Sequence, residues 1–219
     1  MANEFSRLFF YELECAECKD QVELEQVNVR KDFLLKELKA NGYNVGALIE
    51  ELKIKQAFQK EYNTIIVCMD GGVRNNHDVS QTSAAASAFV VYGDKKMITH
   101  NSSYIGSDIR LPNGEMTEVN STLAEYHGLH QSLDFIEKHE VKAKKIILLT
   151  DCASMVQHIL EKAPQHPNFQ RYASLLKNKF DSFCNVELKH IPREHNRVAD
   201  KLVNQLLDVQ ERSEQYAIN

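Results

Sequence analysis

Chemistry in this sequence is concentrated in four carboxylates. Asp70 closes the apolar run IIVCMD, Asp151 directly follows IILLT, Glu125 lies beside an apolar stripe of helical period, and Asp200 falls in the first turns of the last helical stretch. An acid at the end of an apolar run faces a desolvation cost unless a partner offsets it. If the four converge, each like-charged pair at ~4 Å costs about 4 kcal/mol at an effective dielectric of about 20, so a cation is required. Hard oxygen donors with few nitrogens select Mg²⁺ or Mn²⁺. Each acid also has an ordinary reading. Asp151 precedes a helix it could cap, Glu125 could be a solvated helix residue, and Asp200 lies off the Val198, Leu202, Leu206 and Val209 stripe that reads as its helix's core face. Asp70 is the hardest to explain without a partner.

The elements that must position these acids follow from periodicity. Thr64 to Met69 is a β-branched apolar run before Gly71-Gly72 and reads as a buried strand. Ala84 to Tyr92 and Lys96 to Tyr104 read as two more strands joined at Gly93-Asp94, so the first three are expected to form an antiparallel meander. Glu118 to His139 is expected as a long helix. Ile146 to Thr150 reads as a second buried strand, followed by a short helix to Leu160 and a helix from Phe169 to Phe183. Val186 to Ile191 is the last strand, and a C-terminal helix runs from Asn196. The expected order is βββαβααβα, an α/β domain in which ligand sites gather where strands end and helices begin on one sheet edge.

Residues 1 to 62 differ in texture. Leu24, Val27, Leu34, Leu35 and Leu38 predict a helix that stops at Asn41-Gly42, and Asn44 can cap a second one carrying Val45, Leu48, Ile49, Leu52 and Phe58. The boundary expected is a helical segment, 1–62, of unknown role, followed by a catalytic-type domain, 63–219. At 219 residues, 43% hydrophobic and 26% charged, the chain is globular in composition, which disfavours wholesale disorder and fibrous repeats. No stretch is long and apolar enough for a membrane span, no secretory pattern opens the chain, and five cysteines form an odd set, so a cytoplasmic protein is expected. The net charge of −5 argues against a broadly basic nucleic-acid surface. Residues 64–219 nevertheless hold 19 acids and 17 bases, so setting aside four metal ligands leaves a nearly neutral domain. Cys15 and Cys18 have metal-ligand spacing but lack a second pair, and the Lys138, Lys142, Lys144 and Lys145 cluster reads as a solvated connection.

Four segments, CMDGG, STLAEYHGL, LLTDCAS and HIPREHNRVADKL, resemble in this order the signature blocks of the type 1 ribonuclease H family, most closely its reverse-transcriptase-like branch. The resemblance spans about residues 63 to 212 and implies that family's five-stranded mixed sheet flanked by helices. It makes Asp70, Glu125, Asp151 and Asp200 the ligands of two Mg²⁺ ions, with Mn²⁺ as a substitute. The implied activity is hydrolysis of the RNA strand of RNA/DNA hybrids, leaving 3′-hydroxyl and 5′-phosphate ends. His190 matches the family histidine that assists proton transfer and product release, a role histidine side chains suit in general. Gly71, Asn76, Ser121, Thr122 and Asn196 fall at positions implied to contact substrate, and Asn196 is also expected to cap the last helix.

Departures from the family pattern lie in the substrate contacts. The loop after Asp70 is long and lacks the usual Pro-Gly, and Ser121 and Thr122 stand where the family carries paired asparagines, so fewer donors face the hybrid. The basic substrate handle of some members is missing between Leu160 and Phe169, and the chain has no Trp. Hybrid affinity is therefore expected to need the N-terminal segment or a partner. The charge balance of that segment does not suggest a hybrid-binding domain, so residues 1–62 read as a packing or oligomerisation element through which a protein partner or self-association could act. A rival reading is a weakly active or non-catalytic module of the same fold that binds nucleic acid or protein. A second rival, an exonuclease with an acid two residues after the first Asp, is disfavoured by Gly72.

Overall fold

A computed structural model describes residues 21–74, 83–111 and 114–217 in two compact units, 1–60 and 61–219. Cys15, Cys18 and Asn76 lie outside the described residues.

In the first unit, α1 (Gln21–Ala40) and α2 (Val45–Ala57) are joined by a turn at Gly42, whose φ of +80° suits a residue without Cβ. Gly42 N donates to Lys39 O at 3.1 Å and Tyr43 N to Leu38 O at 3.0 Å, so the last carbonyls of α1 are satisfied. Asn44 caps α2 as its sequence position predicts, accepting from Ala47 N at 3.1 Å. Leu34, Leu38 and Leu52 form a small core with Leu35, Tyr43, Val45 and Leu48 packed against it.

The second unit is built on a five-stranded sheet of order β3-β2-β1-β6-β7. Its strands are β1 (Tyr62–Arg74), β2 (Ala84–Gly93), β3 (Lys96–Gly106), β6 (Ala143–Thr150) and β7 (Val186–His190). The first three form the expected antiparallel meander, and β6 and β7 run parallel to β1. The helices are α3 (Ser121–Lys138), α4 (Ala153–Leu160), α5 (Pro167–Asp181) and α6 (Arg197–Ala217), the last preceded by a 3₁₀ turn (Arg193–His195). The period-two alternation of β1 divides the work. Ile65, Val67 and Met69 are buried towards α3, whereas Gly72 lies beneath Val203 and Leu207 of α6. No described helix is long and apolar enough to cross a membrane.

Three details depart from the sequence reading. A two-stranded ribbon, β4 (Asp108–Arg110) with β5 (Met116–Glu118), stands where coil and helix were expected. Its strands are three residues long, too short for a period to show in the sequence, and the Leu111 N to Glu115 O bond of 2.8 Å closes it. Consequently α3 begins at Ser121, not Glu118, where Asn120 accepts from Leu123 N at 3.0 Å. On α6 the buried stripe is Ala199, Val203 and Leu207. Val198 and Val209, expected in the core, are exposed at 45% and 60%, while Leu202 and Leu206 pack at the edge of the Ala84, Ala86 and Ala88 cluster. Small residues are buried here because α6 lies close on a sheet face made of alanine and glycine.

Candidate metal centre

Asp70 lies within β1, which does not stop before Gly71-Gly72 as its sequence suggests but stays paired with β2 as far as Arg74, and Gly71 explains how a helix reaches it. A Cβ at Gly71 would stand 2.2 Å from Ala124 C and 2.3 Å from Glu125 N, so the backbones of β1 and α3 touch. Gly128 gives a second close approach, its would-be Cβ 3.0 Å from Asp70 O. A hydrogen-bond chain fixes the rotation of α3. Fully buried Ser87 of β2 donates to Gln131 Oε1 at 3.0 Å, which leaves His127 Nδ1 to donate to Ser87 Oγ at 2.8 Å. Burial, and to a lesser degree His130, pushes the His127 imidazole down to about 4.

These contacts carry Glu125 to Asp70, and the end of β6 adds Asp151. Carboxylate oxygens of Asp70, Glu125 and Asp151 lie within 4.8 Å of one another. Asp70 and Glu125 are only 7% and 8% exposed. Buried Thr150 donates to Glu125 Oε2 at 3.5 Å while its hydroxyl accepts from Cys152 N at 3.0 Å. Burial first, and then the charges of Asp151 and Asp200, raise the Asp70 carboxyl to about 7, against the lowering effects of Arg193 and the Gly71 N–H. Burial also holds Glu125 well above the ordinary carboxylate range, with Asp70 and Asp151 adding to it. Two acids buried at such cost, with half-buried Asp151 beside them, make a site complementary to a cation. All the donors are hard oxygens, so the residues present fit a divalent ion.

Asp200 stands outside this trio. Its carboxylate, 27% exposed, accepts from Arg193 Nη2 at 2.6 Å. His190 is exposed at the end of β7, in register with Thr150 of β6. Ser121, exposed, and Thr122, half-buried, form the first turn of α3. Gly71, expected as a substrate contact, is buried under α3.

Asn196 also differs from expectation. It is 1% exposed, and its amide donates to Met69 O at 2.9 Å and Asp151 Oδ1 at 2.7 Å, which occupies both donors. Its Oδ1 is buried with no hydrogen-bond partner among the described residues, so the side chain neither caps α6 nor has a donor left for substrate. It ties together β1, the end of β6 and the start of α6. Sequence reasoning passed over Thr150 and Arg193. Arg193 lay in plain view within HIPREHNRVAD, but its contact with Asp200 depends on the turn between them.

The family model described as reverse transcriptase-like matches residues 99–206, a span that includes Glu125, Asp151 and Asp200. No curated protein matches the sequence. Among solved structures, the N-terminal RNase H domain of a Mycobacterium tuberculosis protein is 22% identical, with a TM-score of 0.55, over 69% of this chain and 98% of that one. RNase H1 of Halobacterium salinarum is 21% identical at a TM-score of 0.55, covering 66% and 98%. LC11-RNase H1, solved in complex with an RNA/DNA hybrid, is 23% identical at a TM-score of 0.53, covering 64% and 94%. A likeness at this identity establishes a common fold.

Proposed function

Since this chain has the ribonuclease H fold and matches the reverse transcriptase-like family, we propose that it is a metal-dependent endoribonuclease acting on the RNA strand of RNA/DNA hybrids. The observation that carries the reading is the meeting of buried Asp70 and Glu125 with half-buried Asp151, from three separate elements, in a cluster whose like charges call for a cation. The solved complex of LC11-RNase H1 with a hybrid supports the substrate class.

Asp70, Glu125, Asp151 and Asp200 would hold two Mg²⁺ ions, with Mn²⁺ as a substitute. Such a pair, when bound, activates the attacking water and stabilises the leaving oxygen of an in-line displacement, giving 3′-hydroxyl and 5′-phosphate ends. Asn196 holds Asp151 Oδ1 and so leaves its other oxygen free to ligate. Arg193 holds Asp200 in the same way. His190, solvent-exposed beside the strand end, takes or gives the proton that travels with product release. Ser121 and Thr122 offer hydroxyls to the hybrid from the first turn of α3, next to the positive end of the helix.

The test is cleavage of an end-labelled RNA/DNA duplex in Mg²⁺ and in Mn²⁺, with Asp70→Asn as control. Metal-dependent cutting of the RNA strand that the control lacks is expected. Binding of the duplex without cleavage above the control would overturn the enzyme reading in favour of a non-catalytic module.

A further inference from the structure

Arg74 is the last residue of β1 and faces α6. Its Nη2 lies 2.5 Å from Asp208 Oδ1 and its Nη1 2.9 Å from Glu211 Oε2, with the guanidinium side chain 28% exposed. Asp70, Gly72 and Arg74 alternate onto one face of the strand, and Asp200, Val203 with Leu207, and Asp208 with Glu211 follow in the same order along α6. The spacings agree. Four residues of strand span about 13 Å, and the eight residues from Asp200 to Asp208 span about 12 Å of helix. One end of this ladder sets two carboxylates against each other, and the other end pairs opposite charges.

Packing between those ends is smooth. The surface under α6 is Gly72 of β1 and Ala84, Ala86 and Ala88 of β2, met by Val203 and Leu207. Alanine and glycine give close approach but no ridges to stop a helix sliding along its axis. The like charge of Asp70 opposes the approach of Asp200, which Arg193 offsets only from the exposed side, and this surface offers α6 little resistance to displacement.

We propose that Arg74 is a positioning residue for the metal centre, gripping Asp208 and Glu211 so that the first turn of α6 keeps Asp200 facing Asp70. The assignment rests on the reading of the carboxylates as a metal site. Its consequence is that the cost of assembling the ligands is met within the apo fold, so that loss of Arg74 weakens metal binding more than it slows the loaded enzyme.

The experiment is calorimetric titration of the full chain with Mn²⁺ and with Mg²⁺, alongside the Mg²⁺ dependence of hybrid cleavage. It compares wild type, Arg74→Met, Arg74→Lys, the milder Glu211→Gln, and the charge exchange Arg74→Glu with Asp208→Arg. Losing two partly exposed pairs is expected to raise the metal dissociation constant and Mg²⁺ half-saturation about three- to tenfold in Arg74→Met. The kcat at saturating Mg²⁺ should stay within about twofold of wild type, a split that loss of stability does not produce in a variant whose metal-free melting temperature lies well above the assay temperature. Arg74→Lys and Glu211→Gln should fall between, and the exchange should recover much of the affinity. Should Arg74→Met fail to fold, the two milder variants carry the same comparison. A wild type that responds to Mg²⁺ beside variants with unchanged metal affinity overturns the assignment alone. A wild type indifferent to Mg²⁺ and Mn²⁺ in both titration and cleavage overturns the metal reading, and the role of Arg74 with it.

Discussion

Gly71→Ala tests the placement of Glu125 most directly. The added methyl would stand 2.2 Å from Ala124 C, 2.3 Å from Glu125 N and 2.4 Å from Ala124 O, whereas ordinary contact begins at 3.4 Å. All three neighbours are backbone atoms, so no side chain can turn aside and α3 must back away by about 1.2 Å, the shortfall between those limits. Overpacking costs about 1–3 kcal/mol, and rigid partners on both sides argue for about 3 kcal/mol. For a unit of this size that lowers the melting temperature by about 6–12 °C. Glu125 moves with its helix, and a misplacement of about 1 Å in a catalytic group costs about 10²-fold in rate. Thermal unfolding, Mn²⁺ titration and steady-state cleavage should therefore change together. A variant with wild-type melting temperature and metal affinity would refute the argument. A change confined to KM would return Gly71 to the role of substrate contact.

Other outcomes follow from the same geometry. Asp70→Asn removes a carboxylate that burial and two like charges disfavour, so the metal-free variant should melt above wild type while losing cleavage; a lower melting temperature would count against the repulsion. Asn196→Ala strips Met69 O and Asp151 of a buried donor and should cost about 1–3 kcal/mol in denaturant unfolding, together with weaker metal binding. An unchanged midpoint would refute that role. The pH dependence sets the raised carboxyls of Asp70 and Glu125 against the lowered imidazoles of His127, His130 and His158. The folded chain keeps a proton on Asp70 up to about 7 that the unfolded chain releases above 3.8, so this contribution falls as pH rises through that window. His127 works the other way: the unfolded chain takes up a proton below 6.5 that the folded imidazole refuses until about 4, so this contribution falls as pH drops. Mg²⁺ holds Asp70 ionised and cancels only the first, so melting temperature should rise with pH more steeply in Mg²⁺ than in chelator. Parallel curves would show that the carboxylates do not take up the ion.

Much of the scaffold could be read from local pattern. The apolar run before Asp70, the two runs joined at Gly93-Asp94, and the spacing along α3 and α5 depend on neighbours one to four residues away, and the meander and helix order appeared as expected. The β4–β5 ribbon did not, because strands of three residues are stabilised by one another and by their closing turn rather than by their own pattern. On α6 the period was legible but its phase was not. Val198, Leu202, Leu206 and Val209 are the more apolar stripe, yet Ala199, Val203 and Leu207 are buried, because the opposing face is Ala84, Ala86, Ala88 and Gly72.

The site divides in the same manner. Sequence alone singled out the candidate acids, since one such as Asp70, closing an apolar run, demands compensation wherever the chain goes. Tertiary structure alone decided how they meet. Glu125 reaches Asp70 because Gly71 lets two backbones touch, Asp151 is aimed by an asparagine 45 residues away, and Asp200 answers to Arg193 at the rim instead of joining the other three. Carboxylates repel, so nothing in their own chemistry draws them together. The packing of strand against helix holds them in place, and packing is a property of surfaces that exist only once the chain has folded.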